Sequence, residues 1–92
     1  MSHKPEQELR QAIEAAGTGV EVGGTYYHYK HPDQLYIVTE LAILEADDEV
    51  CVIYQAQYGE KVSFVRPLSS WLESVEVGGK SVARFHSVEL GS

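Results

Sequence analysis

The sequence predicts a small, mostly β domain, and three observations lead to that fold class. The chain has 92 residues, which is the length of a single domain with one core. From residue 23 onward, short runs rich in β-branched and aromatic residues follow one another, several with the alternation typical of strands. Proline and glycine turn signals separate these runs. We therefore expect a small antiparallel SH3-like barrel, or a strongly bent sheet, of about five to six strands.

A short helix is predicted in front of the sheet, over residues 5–16. Leu9 and Ile13 stand at helical spacing in one narrow apolar stripe, and Gly17 is a natural stop. So short a helix must dock on another element to be stable. The predicted organisation is an N-terminal helical segment over 1–18, a small β domain over 19–88 and a loose tail over 89–92.

The strands are predicted from the runs between turn signals. Gly78 and Gly79 supply the positive φ angles of a tight hairpin. Residues 68–73 predict one helical turn, in which the spacing of Ser70 and Glu73 fits an N-terminal capping box. The predicted strands lie at 25–30, 35–44, 50–58, 61–66 and 81–85.

Charge and hydropathy disfavour several classes of function. The formal net charge is −7, from 14 acidic and 7 basic residues. Such an average field repels polyanions and anionic lipids, so nucleic acid is an unfavoured partner and no membrane partner is expected. No apolar run approaches the ~20 residues of a bilayer span, and the amino terminus lacks the apolar core of a signal peptide.

The cysteine and histidine content bears on location and on metal binding. Cys51 is the only cysteine, so no intramolecular disulfide can form, and a reducing cytoplasm is the expected location. His28 and His31 are close in sequence, but the turn at Pro32 disfavours shared ligation, and no histidine pair has helical ligand spacing. We expect no metal and no cofactor.

Several short motifs, in their order and spacing, resemble those of a known family. The motifs are Tyr26-Tyr27-His28-Tyr29-Lys30, Leu35-Tyr36-Ile37-Val38, Val52-Ile53-Tyr54-Gln55-Ala56-Gln57-Tyr58-Gly59, Val65-Arg66-Pro67-Leu68, Trp71-Leu72-Glu73 and Arg84-Phe85. By these motifs, residues 24–88 resemble the uncharacterised bacterial family known as domain of unknown function 1653. The resemblance implies a small, self-contained bacterial β domain and carries no established activity.

Cationic and aromatic residues recur near the predicted strand ends, whereas acids concentrate in loops. An arginine that leaves a sheet beside a proline, as Arg66 does, can fork onto a carboxylate or phosphate. Small barrels also bind ligands against exposed aromatic faces. The candidate ligand-binding residues are Tyr26, His28, Lys30, Tyr54, Arg66, Trp71, Glu73 and Arg84.

The tyrosines of the first strand have two interpretations. Alternation places Tyr26, His28 and Lys30 on one face and Tyr27 and Tyr29 on the other. The first face can present a ring, an imidazole and an ammonium group to a ligand. In the alternative, the second face forms the core and the first face covers its rim.

The remaining candidates also have interpretations in which they only stabilise the fold. Arg66 can pair with Glu73 and hold the helical turn in place. Trp71 can fill the core instead of lining a pocket. Arg84 can form a surface ion pair of little energetic weight.

Three functions follow from these alternatives. We favour a binding module, and not an enzyme, with a polar-aromatic pocket for a small anionic or aromatic molecule or a peptide. A small hydrolase of a nucleotide-like or amide substrate requires a base such as His28 beside a carboxylate such as Glu73 or Glu40. A nucleic-acid-binding domain requires a contiguous cationic patch. Its members would be Lys30, Lys61, Arg66 and Arg84.

Overall fold

The computed structural model describes residues 4–89. These residues form two helices and seven strands. In chain order the elements are α1 (Glu6–Ala16), β1 (Thr25–His28), β2 (Leu35–Leu44), β3 (Glu49–Ala56), β4 (Ser63–Pro67), α2 (Leu68–Trp71), β5 (Ser74–Val77), β6 (Lys80–Ala83) and β7 (Phe85–Val88). The predicted tail falls, apart from residue 89, outside the described residues.

Five strands form one antiparallel sheet in the order β4-β3-β2-β1-β7, and β5 pairs with β6 in a separate hairpin. Because β4 and β7 are edges, the sheet is open and does not close into a barrel. The pairing of β2 with β3 shifts register between Val38 and Glu40. Such a bulge bends its strand and increases the local twist, so the strongly bent sheet is the form that the chain adopts.

The predicted hairpin at Gly78 and Gly79 is confirmed, with φ angles of 57° and 81°. Both angles lie in the left-handed region that a primed two-residue turn needs. The single strand predicted at 81–85 is in fact divided between β6 and β7. At the division, the Arg84 amide donates to the Glu73 carbonyl, and the Arg84 carbonyl accepts from the Tyr29 amide. Arg84 is therefore the point where the chain passes from the hairpin to the main sheet.

The core lies on one face of the sheet, beneath α1 and α2. Val38 and Val52 are fully buried at its centre, and each side chain contributes about 1.5–3 kcal/mol by leaving water. Trp71 of α2 and Phe85 of β7 are also buried there. Ile13 of α1 packs against this cluster, which is the docking that so short a helix requires.

The helices agree with the sequence in position but not in every detail. Helix α1 begins after Pro5 and ends at Ala16, as predicted. The predicted capping box is wrong, because α2 begins after Pro67 and has no side-chain cap at its start. Ser70 lies inside this helical turn, so its hydroxyl is free to bind another side chain. Neither of the two helices within residues 4–89 has the length and apolar character that crossing a bilayer demands.

Candidate functional site

A small cleft lies beside the carboxyl end of β1, with a volume of about 190 Å³. The four strands β1 to β4 and the turn after β1 contribute to its wall, together with the first residue of β7. The lining residues are His28, Lys30, His31, Tyr36, Tyr54, Arg66 and Phe85. We call this set the basic cleft.

Antiparallel pairing brings these residues together from distant parts of the chain. Side chains that stand directly opposite on neighbouring strands share a face of the sheet. His28 stands opposite Phe85, and Val38 stands opposite Tyr54. The two-residue period of β2 then places Tyr36 on the same face as Val38.

Arg66 is the most constrained cation of the basic cleft. It lies opposite Val52 near the end of β4, which directs its side chain to the face of Tyr54. Its Nε donates to Tyr54 Oη at 3.4 Å and its Nη1 to Ser70 Oγ at 3.0 Å. Its guanidinium carbon lies 5.2 Å from the centroid of the Phe85 ring. Within residues 4–89, Nη2 has no hydrogen-bond partner, so a ligand can accept from it.

Lys30 and His31 enter the cleft from the turn that follows β1. The turn is closed by the His31 amide, which donates to the His28 carbonyl at 2.9 Å. Lys30 is exposed, and its Nζ lies 5.8 Å from the centroid of the Tyr29 ring. No carboxylate of the described chain lies within ion-pair distance of Lys30.

His28 is a neutral hydrogen-bond donor at neutral pH. Its Nδ1 accepts from the Lys30 amide at 3.2 Å, so the proton of the neutral ring is on Nε2. Burial, followed by the positive charges of Arg66 and Arg84, lowers the pKa of His28 from its ordinary value of 6.5. An anion in the cleft would oppose the second of these effects.

The charge of the basic cleft is opposite to that of the whole chain. The chain carries 14 acidic residues, yet among the residues that the structure describes no carboxylate lines the cleft. Every polar side chain that does line it can donate a hydrogen bond. Charge-assisted donors around an aromatic wall can hold an oxyanion that is attached to a flat apolar group.

Tyr36 forms part of that aromatic wall, and a residue outside the cleft holds its ring in place. Its hydroxyl lies 2.6 Å from the hydroxyl of Tyr58, which stands in the loop after β3. Burial and this hydrogen bond raise the pKa of Tyr36 to about 12. Tyr36 therefore remains a neutral group of fixed orientation over the whole physiological pH range.

Two of the predicted site residues, Tyr26 and Trp71, are core residues and do not line the cleft. Tyr26 is 7% exposed, and its ring stands edge-on to Trp71 at 5.3 Å. The expectation that Tyr27 and Tyr29 form the core is also wrong, since they line a groove on the reverse face of β1. There Tyr27 stacks on His86 at 5.0 Å.

Glu73 and Arg84 form an ion pair with each other and lie outside the cleft lining. The expected pairing of Arg66 with Glu73 is therefore wrong, because Arg66 holds the helical turn through Ser70 instead. Arg84 still acts on the cleft at a distance, through its effect on the pKa of His28.

Three lining residues, His31, Tyr36 and Phe85, are absent from the sequence-based candidates. Phe85 and Tyr36 stand within the motifs noted above, but only the strand order brings them beside His28. His31 had a weaker signal, since a histidine before a proline indicates only a turn. The four candidates that the structure does bring together are His28, Lys30, Tyr54 and Arg66.

Three other depressions among the described residues are larger than the basic cleft but differ in chemistry. One, of about 390 Å³, lies where β1 and β7 meet, and its acidic lining residues are Glu21 and Glu89. The second, of about 350 Å³, lies beside α1 and joins Leu9 and Ile43 to a mixed set of charges. The third, of about 270 Å³, is the groove on the reverse face of β1. None gathers cations as the basic cleft does, so size alone does not identify the site.

The geometry bears on metal binding and on hydrolysis as well. Within residues 4–89, no group of three or more histidine, cysteine, aspartate or glutamate side chains is arranged to hold a metal ion. Across the same residues His28 has no carboxylate partner, because Glu73 binds Arg84 and the ring nitrogen of His28 binds a backbone amide. The pair of His28 and Glu73 that the sequence suggested is therefore not formed.

Comparison with known proteins assigns the chain to a family. Residues 24–87 match the family described as protein of unknown function (DUF1653). A crystal structure of a protein belonging to this family, from Bordetella bronchiseptica, is similar with a TM-score of 0.63 and 32% identity, covering 76% of this chain and 90% of that chain. No curated protein is detectably similar to the chain. Because the match spans more than half of the chain and every residue of the basic cleft, this protein belongs to the DUF1653 family.

Proposed function

We propose that this domain is a binding module that holds a small molecule with an anionic group and an aromatic part in the basic cleft. The observation that supports it most is that Lys30 and Arg66 share one cleft without a carboxylate partner in the described chain. Two neighbouring cations repel each other. An anionic ligand would offset this repulsion and accept from the donor groups that the cleft presents.

The shape of the cationic region favours a small molecule over a nucleic-acid strand. A strand needs positive charge along its path. Lys61, however, precedes β4 and does not line the cleft, and Arg84 is already paired with Glu73. The net charge of −7 adds long-range repulsion against a polyanion.

The proposal includes the architectural class and the cellular location. We propose that the bent antiparallel sheet, with one helical turn before its last strands, is an open variant of the small SH3-like barrels, which commonly serve as binding modules. A reducing bacterial cytoplasm suits a chain whose one cysteine, Cys51, is buried and free. The structural relative comes from a bacterium.

A thermal-shift screen tests the proposal. Aromatic and aliphatic phosphates, carboxylates, short peptides and single-stranded oligonucleotides are added to the wild type, Arg66→Met and Lys30→Met. A ligand at about 100 times its Kd stabilises the native state by about 2.7 kcal/mol, so a cleft ligand raises Tm of the wild type but not of these variants.

Lys80→Met is the matched control, because it removes the same charge from an exposed position at the start of β6. It should respond to ligand as the wild type does. If no small anion shifts the wild type, or if Lys80→Met loses the response as fully as Lys30→Met does, the basic cleft is not a binding site.

A further inference from the structure

We infer that the anionic group held by the basic cleft is a phosphate monoester in its dianionic form. This inference rests on the proposed function, and it specifies the ligand class. It follows from the charge, the number and the arrangement of the donors around the cleft.

The permanent charge of the cleft lining matches a dianion. Lys30 and Arg66 each carry one positive charge, and no acid among the described lining residues reduces the sum. Above neutral pH His28 adds no charge, because its pKa is lowered from 6.5. A carboxylate would neutralise one of the two cations and leave the other uncompensated in a partly desolvated site. A phosphate monoester, whose second pKa is about 6, neutralises both.

The donors also come from more directions than the plane of one carboxylate offers. Arg66 lies near the end of β4, Lys30 in the turn after β1 and His28 in β1 itself, and all three residues line the cleft. Because these groups come from three separate elements, nothing confines them to one plane. The three terminal oxygens of a phosphate monoester are arranged in three dimensions and accept from several directions.

The fixed position of Arg66 strengthens the argument. Tyr54, Ser70 and the Phe85 ring already hold its guanidinium group in the free protein. Little side-chain entropy is then lost when the group binds an oxyanion. The rings of Tyr36 and Phe85, which line the same cleft, can contact a flat group on the ester oxygen.

Isothermal titration calorimetry at pH 8 and constant ionic strength tests the inference with three matched probes. Phenyl phosphate, phenyl sulfate and benzoate carry the same ring, so contacts with the ring cancel. Phenyl sulfate has the tetrahedral shape of phenyl phosphate but one negative charge, which isolates the effect of charge. We expect the wild type to bind phenyl phosphate about tenfold more tightly than either monoanion.

Lys30→Met should remove most of that preference, because one permanent cation remains in the cleft, and Lys80→Met should retain it. If phenyl sulfate or benzoate binds as tightly as phenyl phosphate, the cleft binds anions but the dianion inference is wrong. The inference is also wrong if the preference persists in Lys30→Met. If none of the three probes binds the wild type, both the inference and the proposed function fail.

Discussion

The rings of Trp71 and Phe85 stack face to face, with centroids 3.8 Å apart and an angle of 5° between their planes. Phe85 is in turn 5.2 Å from the guanidinium carbon of Arg66 and stands edge-on to His28 at 5.2 Å. One phenyl ring therefore contacts both the core and two residues of the basic cleft, Arg66 and His28. The position of the cleft depends on the packing of α2 against β7.

Trp71 is the residue whose loss should destabilise the fold most clearly. It is 3% exposed and contacts the rings of Tyr26, Tyr54 and Phe85. Trp71→Ala should lower the free energy of unfolding by about 3–5 kcal/mol, a large part of the stability of a domain this small. Urea unfolding followed by far-ultraviolet circular dichroism measures it.

The matched control for Trp71→Ala is Val65→Ala, a truncation of an apolar side chain that is 64% exposed on β4. Its effect should stay within about 0.5 kcal/mol. Equal effects of the two substitutions would show that Trp71 is not the centre of the core.

The ionisation of His28 should make stability depend on pH in a defined direction. The folded-state pKa is lowered, mainly by burial and then by Arg66, so the unfolded chain binds the proton more readily. The resulting loss of stability is absent well above pH 6.5, and it grows as the pH falls below 6.5. His28→Gln should therefore lose less stability than the wild type over that window, as measured by urea unfolding at several pH values.

Nuclear magnetic resonance titration of the His28 ring protons gives the direct reading. The midpoint pH should lie below 6.5 in the wild type. It should rise in Arg66→Met because one positive charge is removed, but it should not reach 6.5 because burial still lowers the pKa of His28. A midpoint above 6.5 in the wild type would contradict the geometry described for His28.

The hydroxyl pair of Tyr36 and Tyr58 should be visible in the tyrosine titration at high pH. Burial raises the pKa of Tyr36 to about 12, and the hydrogen bond between Tyr36 and Tyr58 is the next cause. Because the folded pKa lies above the ordinary 10.0, the resulting stability is present below pH 10.0 and is lost as the pH rises toward 12. Tyr58→Phe should lower the spectrophotometric midpoint of Tyr36, whereas Tyr27→Phe on the reverse face should not.

The ion pair of Arg84 and Glu73 should contribute little to stability. The Glu73 side chain is 59% exposed and that of Arg84 21%, and exposed pairs of this kind typically contribute at most about 1 kcal/mol. The free energy of unfolding of Glu73→Gln should therefore lie within about 1 kcal/mol of the wild-type value. The double-mutant cycle with Arg84→Met should give a coupling free energy of the same size. A coupling well above that range would mean that the pair holds the division between β6 and β7.

The sequence predicts β1 to β4 close to their observed positions, because apolar alternation and glycine turns are local signals, but it predicts neither β5 nor the division between β6 and β7. It placed α1 and the hairpin at Gly78 and Gly79 correctly for the same reason. It could not decide which face of β1 enters the core, since Tyr26 and Tyr27 are the same residue type at adjacent positions. Only the pairing of β1 with β7, which are far apart in the chain, turns Tyr26 toward Trp71.

The candidate site was predicted in part for a related reason. His28, Lys30, Tyr54 and Arg66 stood out because cations and tyrosines near strand ends are visible in the chain. The partner of Glu73 was assigned wrongly, since Arg66 and Arg84 are both cations beside an aromatic strand end. The choice between them depends on where the chain leaves the hairpin, and that is a property of the tertiary structure.

Ser70 should act on the basic cleft by positioning Arg66. Its hydroxyl accepts from Arg66 Nη1 at 3.0 Å, which directs the guanidinium group although Ser70 does not itself line the cleft. Ser70→Ala should weaken phenyl phosphate binding several-fold, less than Arg66→Met does, because the cation remains but its orientation is less restricted. Ser69→Ala is the control, since the Ser69 hydroxyl donates to Glu49 and not to Arg66. Isothermal titration calorimetry measures the affinity of both variants for phenyl phosphate. Equal affinities for Ser70→Ala and the wild type would mean that Tyr54 and Phe85 suffice to position Arg66.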